Sequence, residues 1–404
     1  MNSSLTPVDL AFAHLLRTLK PVTEDEDIPV EEALGRVLAW ENVAQINVPP
    51  HASSAMDGYA VLAKDTNQAP QQLAVTQRIA AGQVGTDLSS GQAARIFTGA
   101  PMPPGADAVV MQENCSAGDG NLTVLQTAKP GENLRKAGED IETGVILFRQ
   151  GHRLRAQDLG VLASTGQAEI RVRRKLKVAL LTTGDEIIQP GAKPLPGQIY
   201  NSNYFTLRAL LESLQVEVLD MGVLKDDLES TQTMLEVASK SVDCIVTTGG
   251  VSVGEEDHVR AAVEALGRIE LWKLAIKPGK PFASGKVGNA QFFGLPGNPV
   301  SAFVTFALLV RPSLLKMLGC QNIGFQSFFI KAGFSAPESG ARQEYLRVSL
   351  NESDGETTLA PYANQSSGVS VSLSHADGLA VVPPHTEVKV GASLRFIPFS
   401  ELLN

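Results

Sequence analysis

The stretch VALLTTGDE, residues 178–186, decides the fold, because an apolar run passes directly into hydroxyl, glycine and acidic residues. A short apolar run bounded by a turn is typical of a buried strand. Similar runs follow at 216–221 and 244–247, and helical spacing separates them at 203–214 and 228–239. This alternation predicts a parallel α/β sheet whose loops after the strands lie along one edge, where ligands bind.

Different patterns flank this module on both sides. Helical spacing at 8–19, 30–38 and 156–164 predicts a helical N-terminal unit, while the residues at 48–141 alternate short apolar runs with Gly, Pro and Asp. The β-rich module is therefore predicted to be inserted between two halves of the helical one. An apolar helix is predicted at 299–318, with a bend near Arg311 and Pro312. From 325 onward, short alternating segments predict a small β-barrel or sandwich.

The predicted architecture is thus multidomain, α/β plus β, and it comprises four parts. They are a discontinuous N-terminal helical or mixed domain (1–46 and 141–174), an inserted β-rich domain (47–140), a parallel α/β domain (175–324) and a small C-terminal β-barrel (325–404).

Composition excludes several classes of function. The 404 residues carry 34 Lys and Arg against 43 Asp and Glu, a formal net charge of -9. We therefore expect no nucleic acid and no membrane surface as a partner. The basic run at 171–177 is interpreted as solvated charge beside a strand.

Cysteine, histidine and hydropathy patterns point to a reduced, soluble protein. Cys115, Cys244 and Cys320 form no CxxC pair, and the six histidines form no HxxxH pair, so neither a disulfide framework nor a zinc site is indicated. The N-terminus has no apolar signal core, and the apolar stretch at 300–310 is too short to span a bilayer. We expect a cytoplasmic protein.

Four loops at the strand ends of the α/β module carry groups suited to oxyanions and phosphates. They lie at 182–186, 247–257, 273–281 and 294–301. Glycines let backbone N–H groups approach an anion closely, lysines on a proline-stiffened loop supply point charges, and Asn298-Pro299 opens a helix with free N–H groups. No GxGxxG or GK[ST] motif is present, which favours a phosphate ligand other than NAD or a P-loop nucleotide. Each loop alone could also be a capped turn or a surface charge run.

Acidic residues stand beside these loops. Glu186, Asp226 with Asp227, and Asp257 each lie at or near the end of a predicted strand. Singly, each acid could cap a helix, but together they indicate Mg²⁺ beside a phosphate and a metal-assisted phosphoryl or anhydride reaction. Two turns outside the module, at 53–59 and 97–101, are either tight turns or loop tips that close over a neighbouring site.

Eight motifs, in order along the chain, resemble the MoeA family of molybdopterin molybdotransferases. They are SAMDGYA (54–60), TGAP (98–101), PGADAVV (104–110), GEDI (138–141), TGDE (183–186), GGVSVG (249–254), KPGKP (277–281) and LPGNPVS (295–301). The E domains of gephyrin and of its plant counterpart are similar.

The resemblance implies an elongated homodimer with a MogA-like α/β domain. It also implies Mg²⁺-dependent insertion of molybdate into adenylyl-molybdopterin with release of AMP, in molybdenum cofactor biosynthesis. Molybdopterin adenylyltransferase and molybdoenzyme maturation factors are the implied partners. Two alternatives stay open: the adenylyltransferase reaction itself, and a non-catalytic scaffold.

The same resemblance implies the site residues. The catalytic set is Asp57, Thr98, Glu186, Asp226, Asp257, Lys273, Lys277 and Arg347, of which Glu186, Asp226 and Asp257 hold the metal. The substrate-binding set is Thr183, Gly184, Asp185, Gly249, Gly250, Ser252, Gly254, Lys280, Pro296, Gly297, Asn298, Pro299, Ser301 and Ser367.

Overall fold

The first segment combines one amphipathic helix with two short strands. The computed structural model describes residues 5–118, 120–224, 227–250, 258–353 and 355–403. Helix α1 (Val8–Thr18) buries Ala11 and Leu15 in the core that it shares with the α/β module. Strands β1 (Asp25–Pro29) and β2 (Asn42–Val43) follow.

The helix predicted at 30–38 is wrong. Only Val30–Glu32 forms a short 3₁₀ turn, and Gly35 then takes a φ of 75°. Val37 and Leu38 form bridges to Arg153 and Val172 and pack into two different core clusters. Neighbouring residues that point to opposite sides have the period of a strand, so the apolar spacing reflects burial on two sides.

The inserted segment is a mixed sheet. Its strands are β3 (Ser53–Ser54), β4 (Gly58–Val61), β5 (Gln71–Ile79), β6 (Gln92–Ile96), β7 (Ala108–Met111), β8 (Cys115–Gly118), β9 (Asn121–Val124) and β10 (Leu134–Arg135). Six of them pair in the order β7-β4-β6-β5-β9-β8, and β3 pairs with β10. Two apolar clusters, one around Leu73 and one around Ile79, form its core.

The chain then returns to the first segment. Strands β11 (Ile146–Phe148) and β12 (Glu169–Arg173) pair with β2 and β1, and helix α2 (Ala156–Ser164) lies between them. Arg171, in the basic run, pairs with Asp25 and Asp27 across β1 and β12.

The α/β module has one six-stranded sheet. Its elements are β13 (Lys177–Thr183), β14 (Ile187–Ile188), β15 (Ile199–Tyr200), α3 (Ser202–Ser213), β16 (Glu217–Leu224), α4 (Leu228–Ser239), β17 (Cys244–Thr248), α5 (His258–Leu266), β18 (Gly267–Lys273), β19 (Ile276–Lys277), β20 (Pro281–Val287) and β21 (Ala290–Leu295). The strand order is β16-β13-β17-β21-β20-β18.

The strands that the sequence predicted are parallel, and the sheet extends beyond them with antiparallel pairing. Strands β16, β13, β17 and β21 are parallel, but β20 runs antiparallel to both of its neighbours. The two-residue Gly288-Asn289 turn joins β20 to β21 as a hairpin, with Gly288 at φ 56°. Because β18 is antiparallel to β20, its last residue, Lys273, lies at the same edge as the ends of the parallel strands.

The predicted apolar helix forms as α6 (Pro299–Thr305), a π-helical turn (Phe306–Val310) and α7 (Arg311–Met317). The Pro312 ring cannot fit a regular helix, which accounts for the irregular turn before it. The 19 helical residues at Pro299–Met317 are long and apolar enough to cross a membrane, which corrects the shorter estimate from the sequence. However, 94% of the window is buried, so this is a core helix.

The C-terminal region is a closed barrel. Its elements are β22 (Phe328–Ala332), β23 (Gln343–Ser353), β24 (Glu356–Pro361), α8 (Val371–Ser374), β25 (Gly378–Val382), β26 (Ser393–Pro398) and α9 (Phe399–Leu403). The order β23-β24-β22-β26-β25 closes through pairing of β25 with β23. Strand β19 adds to β23, which joins the barrel to the loop after β18.

Candidate functional site

A cavity of about 600 Å³ opens at the edge of the α/β sheet where β13, β17 and β21 end. Ten of the residues that the sequence predicted line it: Thr183, Gly184, Glu186, Gly249, Gly250, Pro296, Gly297, Asn298, Pro299 and Ser301. These ten residues come from three of the four predicted loops, and Pro281 of the fourth loop also lines the cavity.

Close backbone approach explains the glycines of the second loop. A Cβ atom on Gly249 would lie 2.7 Å from the Thr183 carbonyl oxygen, and one on Gly250 would lie 2.5 Å from a Val259 methyl carbon. Both residues have positive φ, 89° and 63°. Glycine is the residue that accepts this conformation and this proximity without strain. The two glycines thus let the loop after β17 pack directly against Thr183 and Val259.

An asparagine that the sequence analysis missed ties two of these loops together. Asn203 donates through Nδ2 to Thr248 Oγ1 (3.0 Å) and to the Gly297 carbonyl oxygen (2.7 Å). Thr248 Oγ1 in turn donates to the Pro296 carbonyl oxygen (2.9 Å). The signal was present as Asn201-Ser202-Asn203 before an apolar helical pattern, an arrangement typical of a helix start.

Asn201 is the N-cap of α3 and holds the start of this helix at the cavity. Its side chain accepts from the Tyr204 N–H (3.3 Å) and donates to Thr182 Oγ1 (2.9 Å). Satisfying a helix N–H in this way sets where the helix begins. The start of α3 is therefore anchored to the end of β13.

One acid and a short flap both line the cavity. A Cβ atom on Gly184 would lie 2.6–2.9 Å from the Glu186 carboxyl group, so the carboxylate folds over the glycine. The flap consists of β14 and β15, and Ile199 and Tyr200 on it are 56% and 45% exposed. The Tyr200 hydroxyl donates to the Ala192 carbonyl oxygen (2.9 Å) and steadies the flap. One wall is thus polar and the other apolar.

The barrel reaches the first turn of α6. The Val300 N–H donates to the Ser367 carbonyl oxygen (3.0 Å), so Ser367 lies beside the cavity through its backbone. Arg347 does not reach it: the side chain is 1% exposed, and burial lowers its pKa to about 10. Its guanidinium donates to Ser372 Oγ (3.1 Å) and to the Ser366 carbonyl oxygen (3.2 Å). Arg347 thus holds the loop that carries Ser367. This corrects the expectation from the sequence that the Arg347 side chain faces the cleft.

The lysine loop (273–281) borders the cavity, and Pro281 is the residue of this loop that lines the cavity wall. Lys277 Nζ pairs with Glu344 Oε1 of the barrel at 2.9 Å. Lys273 and Lys280 use their carbonyl oxygens to accept from the N–H groups of Thr6 and Leu274. The structure therefore gives Lys277 an acidic partner that the sequence pattern did not indicate.

Asp57 and Thr98, predicted from separate turns, meet in the inserted sheet. The Thr98 N–H and hydroxyl both donate to Asp57 Oδ1, each at 2.8 Å. The Thr98 N–H and then its hydroxyl lower the pKa of Asp57 below the usual range, with a smaller effect of Arg95. The side chains are exposed and, within the described ranges, do not line the cavity of their own chain.

Four predicted residues, Asp226, Ser252, Gly254 and Asp257, lie outside the described residues. Asp185 is exposed beside the cavity. In the part of the chain that the structure describes, no three His, Cys, Asp or Glu side chains group as metal ligands. Glu186 is thus the member of the predicted metal set that the structure places on the cavity wall.

Three family models match consecutive parts of the chain. The MoeA N-terminal region (domains I and II) matches residues 6–166, a probable molybdopterin binding domain matches 179–316, and the MoeA C-terminal region (domain IV) matches 330–399.

Similar proteins cover nearly the whole chain. A Haemophilus influenzae protein named molybdopterin molybdenumtransferase is 43% identical over 313 residues, 77% of this chain and 78% of that protein. Molybdopterin molybdenumtransferase 2 of Mycobacterium tuberculosis is 33% identical over 95% of this chain and 96% of its own length. The crystal structure of a molybdopterin biosynthesis MoeA protein from Pyrococcus horikoshii OT3 is 30% identical, with a TM-score of 0.83, over 98% of this chain and 100% of that one.

Proposed function

The chain belongs to the MoeA family of molybdopterin molybdenumtransferases, and we propose that it inserts molybdate into adenylyl-molybdopterin and releases AMP. This reaction belongs to molybdenum cofactor biosynthesis. The cavity at the sheet edge is the observation that supports it most strongly, because ten of the site residues that the resemblance implies line one space of about 600 Å³.

We assign the phosphate groups of the substrate to the polar wall. Gly249 and Gly250 let the loop after β17 pack closely against Thr183 and Val259 on this wall, and the first turn of α6 directs a positive dipole end toward the cavity. Asn203 keeps the loops of Thr248 and Gly297 at a fixed separation. These groups bind and orient the phosphoanhydride before reaction.

The residues present fit Mg²⁺, which takes one or two carboxylates and completes its shell with waters and phosphate oxygens. Glu186 supplies a carboxylate on the cavity wall, and we propose Asp226 and Asp257 as its companions. When bound, the ion would neutralise charge on the phosphoanhydride. Thr183 and Ser301 line the same wall and present hydroxyl groups to the substrate.

The lysine loop is assigned to the incoming molybdate, which is an oxyanion. Lys273 lies at the cavity edge of the sheet, and Lys280 precedes the cavity residue Pro281. Lys277 is held by Glu344, so we assign it to positioning the loop against the barrel. Arg347 and Ser367 position the first turn of α6 from the other side.

We propose that the working unit is a cytoplasmic homodimer. Asp57 and Thr98 make a bonded pair in the inserted sheet, away from the cavity that their own chain lines. A second copy would supply them to the cleft. Mixing Asp57→Ala chains with Asn203→Ala chains tests this, because shared sites regain activity in mixed dimers, whereas independent sites do not.

Reconstitution tests the reaction. The purified chain would be incubated with adenylyl-molybdopterin, molybdate and Mg²⁺, and AMP release and molybdenum transfer to an apo-molybdoenzyme would be measured together. Glu186→Gln should reduce both by about 100-fold. Glu352→Gln, at an exposed barrel position, is the matched control.

Three results would contradict parts of the proposal. If Glu186→Gln transferred molybdenum at the wild-type rate, the assigned role of that carboxylate would be wrong. If the wild-type chain instead consumed ATP to adenylylate molybdopterin, the adenylyltransferase alternative would replace the proposal. Partner binding without any turnover would favour a scaffold.

A further inference from the structure

Two arginines share one aromatic ring on the inserted sheet. Tyr59, Arg95 and Arg78 lie opposite one another on the neighbouring strands β4, β6 and β5. The Cζ atoms of Arg78 and Arg95 lie 4.5 and 4.6 Å from the centroid of the Phe97 ring. Arg95 Cζ also lies 5.1 Å from the Tyr59 ring. We call Arg78, Phe97, Arg95 and Tyr59 the arginine stack.

Arg95 is the braced member of the stack. Its Nη1 donates to the Gly58 carbonyl oxygen (2.9 Å), and its Nη2 donates to Gln112 Oε1 (2.6 Å). The Asp57 carboxylate is close enough to sense its charge, but both hydrogen bonds that fix that carboxylate come from Thr98. Arg95 is therefore held in place by neutral acceptors.

Arg78 is the open member. Its side chain is exposed, and among the described residues its guanidinium forms no ion pair and no hydrogen bond. Other arginines of this acidic chain form ion pairs with acidic side chains, for example Arg171 with Asp25 and Arg174 with Asp243. Two positive charges thus lie against one ring without a carboxylate ion-paired to either of them.

This geometry points to an oxyanion site that nothing in the reaction above requires. A guanidinium that stacks through its face keeps the N–H groups in its plane free, and that planar fork matches two oxygens of one phosphoryl group. Phe97 restricts the rotation of Arg78, so less side-chain entropy is lost on binding. We propose that the arginine stack binds a phosphoryl group, with Arg78 as the ligand and Arg95 as the supporting charge.

Inorganic pyrophosphate is the probe, titrated calorimetrically into the full-length chain at constant ionic strength. Arg78→Met should weaken one binding event by at least about tenfold, since a charge-assisted hydrogen bond is lost. Arg78→Lys should stay weak, because it keeps the charge but loses the fork. Arg149→Met, another exposed arginine, should bind as wild type does. Pyrophosphate binding by Arg78→Met that equals wild type would overturn the site.

The cavity at the sheet edge is a second place where pyrophosphate could bind, and Asn203→Ala separates the two. The event assigned to the arginine stack should persist in Asn203→Ala and disappear in Arg78→Met. If Asn203→Ala removed every binding event and Arg78→Met removed none, the proposal would be wrong.

The source of the phosphoryl group is decided by kinetics. If it belongs to adenylyl-molybdopterin, Arg78→Met should raise KM for that substrate about tenfold at nearly constant kcat, which is the sign of lost uniform binding. If it belongs to a separate phosphorylated ligand, KM should stay unchanged while pyrophosphate binding is lost. A wild-type chain without transferase activity would contradict the proposed function but leave the pyrophosphate result intact.

Discussion

Two cavities of similar volume lie at opposite edges of the same sheet, and they are built differently. The candidate site, about 600 Å³, has walls of glycine loops, asparagine, hydroxyl groups and the first turn of a helix. The opposite cavity, about 650 Å³, is lined by Arg174, Lys177, Lys240, Asp243 and others. There Asp243 accepts two bonds from Arg174 (2.7 and 2.9 Å) and one from the Lys177 N–H (2.8 Å). The two cavities therefore resemble each other in volume and in carrying charged residues, and they differ in the glycine loops and the helix start that line the candidate site.

Matched glycines give the largest expected difference. Gly249→Ala puts a methyl group 2.7 Å from the Thr183 carbonyl oxygen, so the loop must move and transferase activity should fall about 100-fold. Gly288→Ala, at φ 56° in the opposite cavity, meets its nearest atom at 3.3 Å and should leave kcat/KM unchanged. Steady-state kinetics of both variants measures the contrast. If both variants lost activity equally, backbone strain at the substituted glycine would explain the loss, and the position of the glycine in the candidate site would not.

Matched asparagines test the bridge between loops. Asn203→Ala removes the donor to Thr248 and Gly297, and about a tenfold fall in kcat/KM is expected, from roughly 1.4 kcal/mol of lost positioning. Asn289→Ala in the opposite cavity is the control and should keep full activity. Circular dichroism of both variants checks that they fold. If Asn289→Ala were also inactive, the two edges of the sheet could not be assigned different roles in catalysis.

Asp243 should matter for stability and not for turnover. Asp243→Asn weakens a partly buried pair with Arg174, and a loss of about 1–2 kcal/mol in the free energy of unfolding is expected. Urea unfolding at pH 7 measures this, and molybdenum transfer at a temperature where the variant stays folded should equal wild type. A transfer defect in the folded variant would assign this edge a part in catalysis.

The same pair predicts a pH dependence. Burial alone would raise the pKa of Asp243, but bonds from the Arg174 side chain and the Lys177 N–H lower it below the usual range. A lowered folded-state pKa adds stability above the unfolded pKa of about 3.9, and that stability is lost as the pH falls. The gap in unfolding free energy between wild type and Asp243→Asn should therefore narrow below about pH 5. A gap that stayed constant to pH 3.5 would contradict this.

Lys240 and Glu236 give the smallest expected effect. They pair at 2.8 Å one helical turn apart, and their side chains are 69% and 55% exposed. Exposed pairs of this kind contribute about 0.5 kcal/mol or less. Glu236→Gln should therefore shift the urea midpoint barely beyond error and leave activity unchanged, although both residues line the opposite cavity.

Local patterns predicted most of the elements and much of the candidate site. Helix α4 begins and ends where the spacing at 228–239 placed it, because Asp227 caps it and its apolar face is continuous. The loops after β13, β17 and β21 converge because parallel strands end at one edge, which connection rules alone imply. That rule places the loops together, whereas the ten individual positions on the cavity wall were implied by the family resemblance.

Three of the misses share a physical cause, since Lys277, Arg347 and Asn203 each depend on a partner distant in sequence. Lys277 meets Glu344 only because β19 pairs with β23, and Arg347 is buried because loop carbonyls surround it. Asn203 acts through Gly297, 94 residues away. The hairpin that reverses β20 was readable from Gly288-Asn289 between two apolar runs, which the prediction of a parallel sheet overlooked.

The bond from the Val300 N–H to the Ser367 carbonyl has a consequence for gene architecture. A protein that consisted of the α/β module alone would keep that N–H open and offer an anion one more donor at the start of α6. In this chain the carbonyl oxygen of the barrel residue Ser367 accepts from that N–H group, and Arg347 fixes the loop that carries Ser367. The barrel therefore takes up one of the backbone donors that the start of α6 would otherwise leave open.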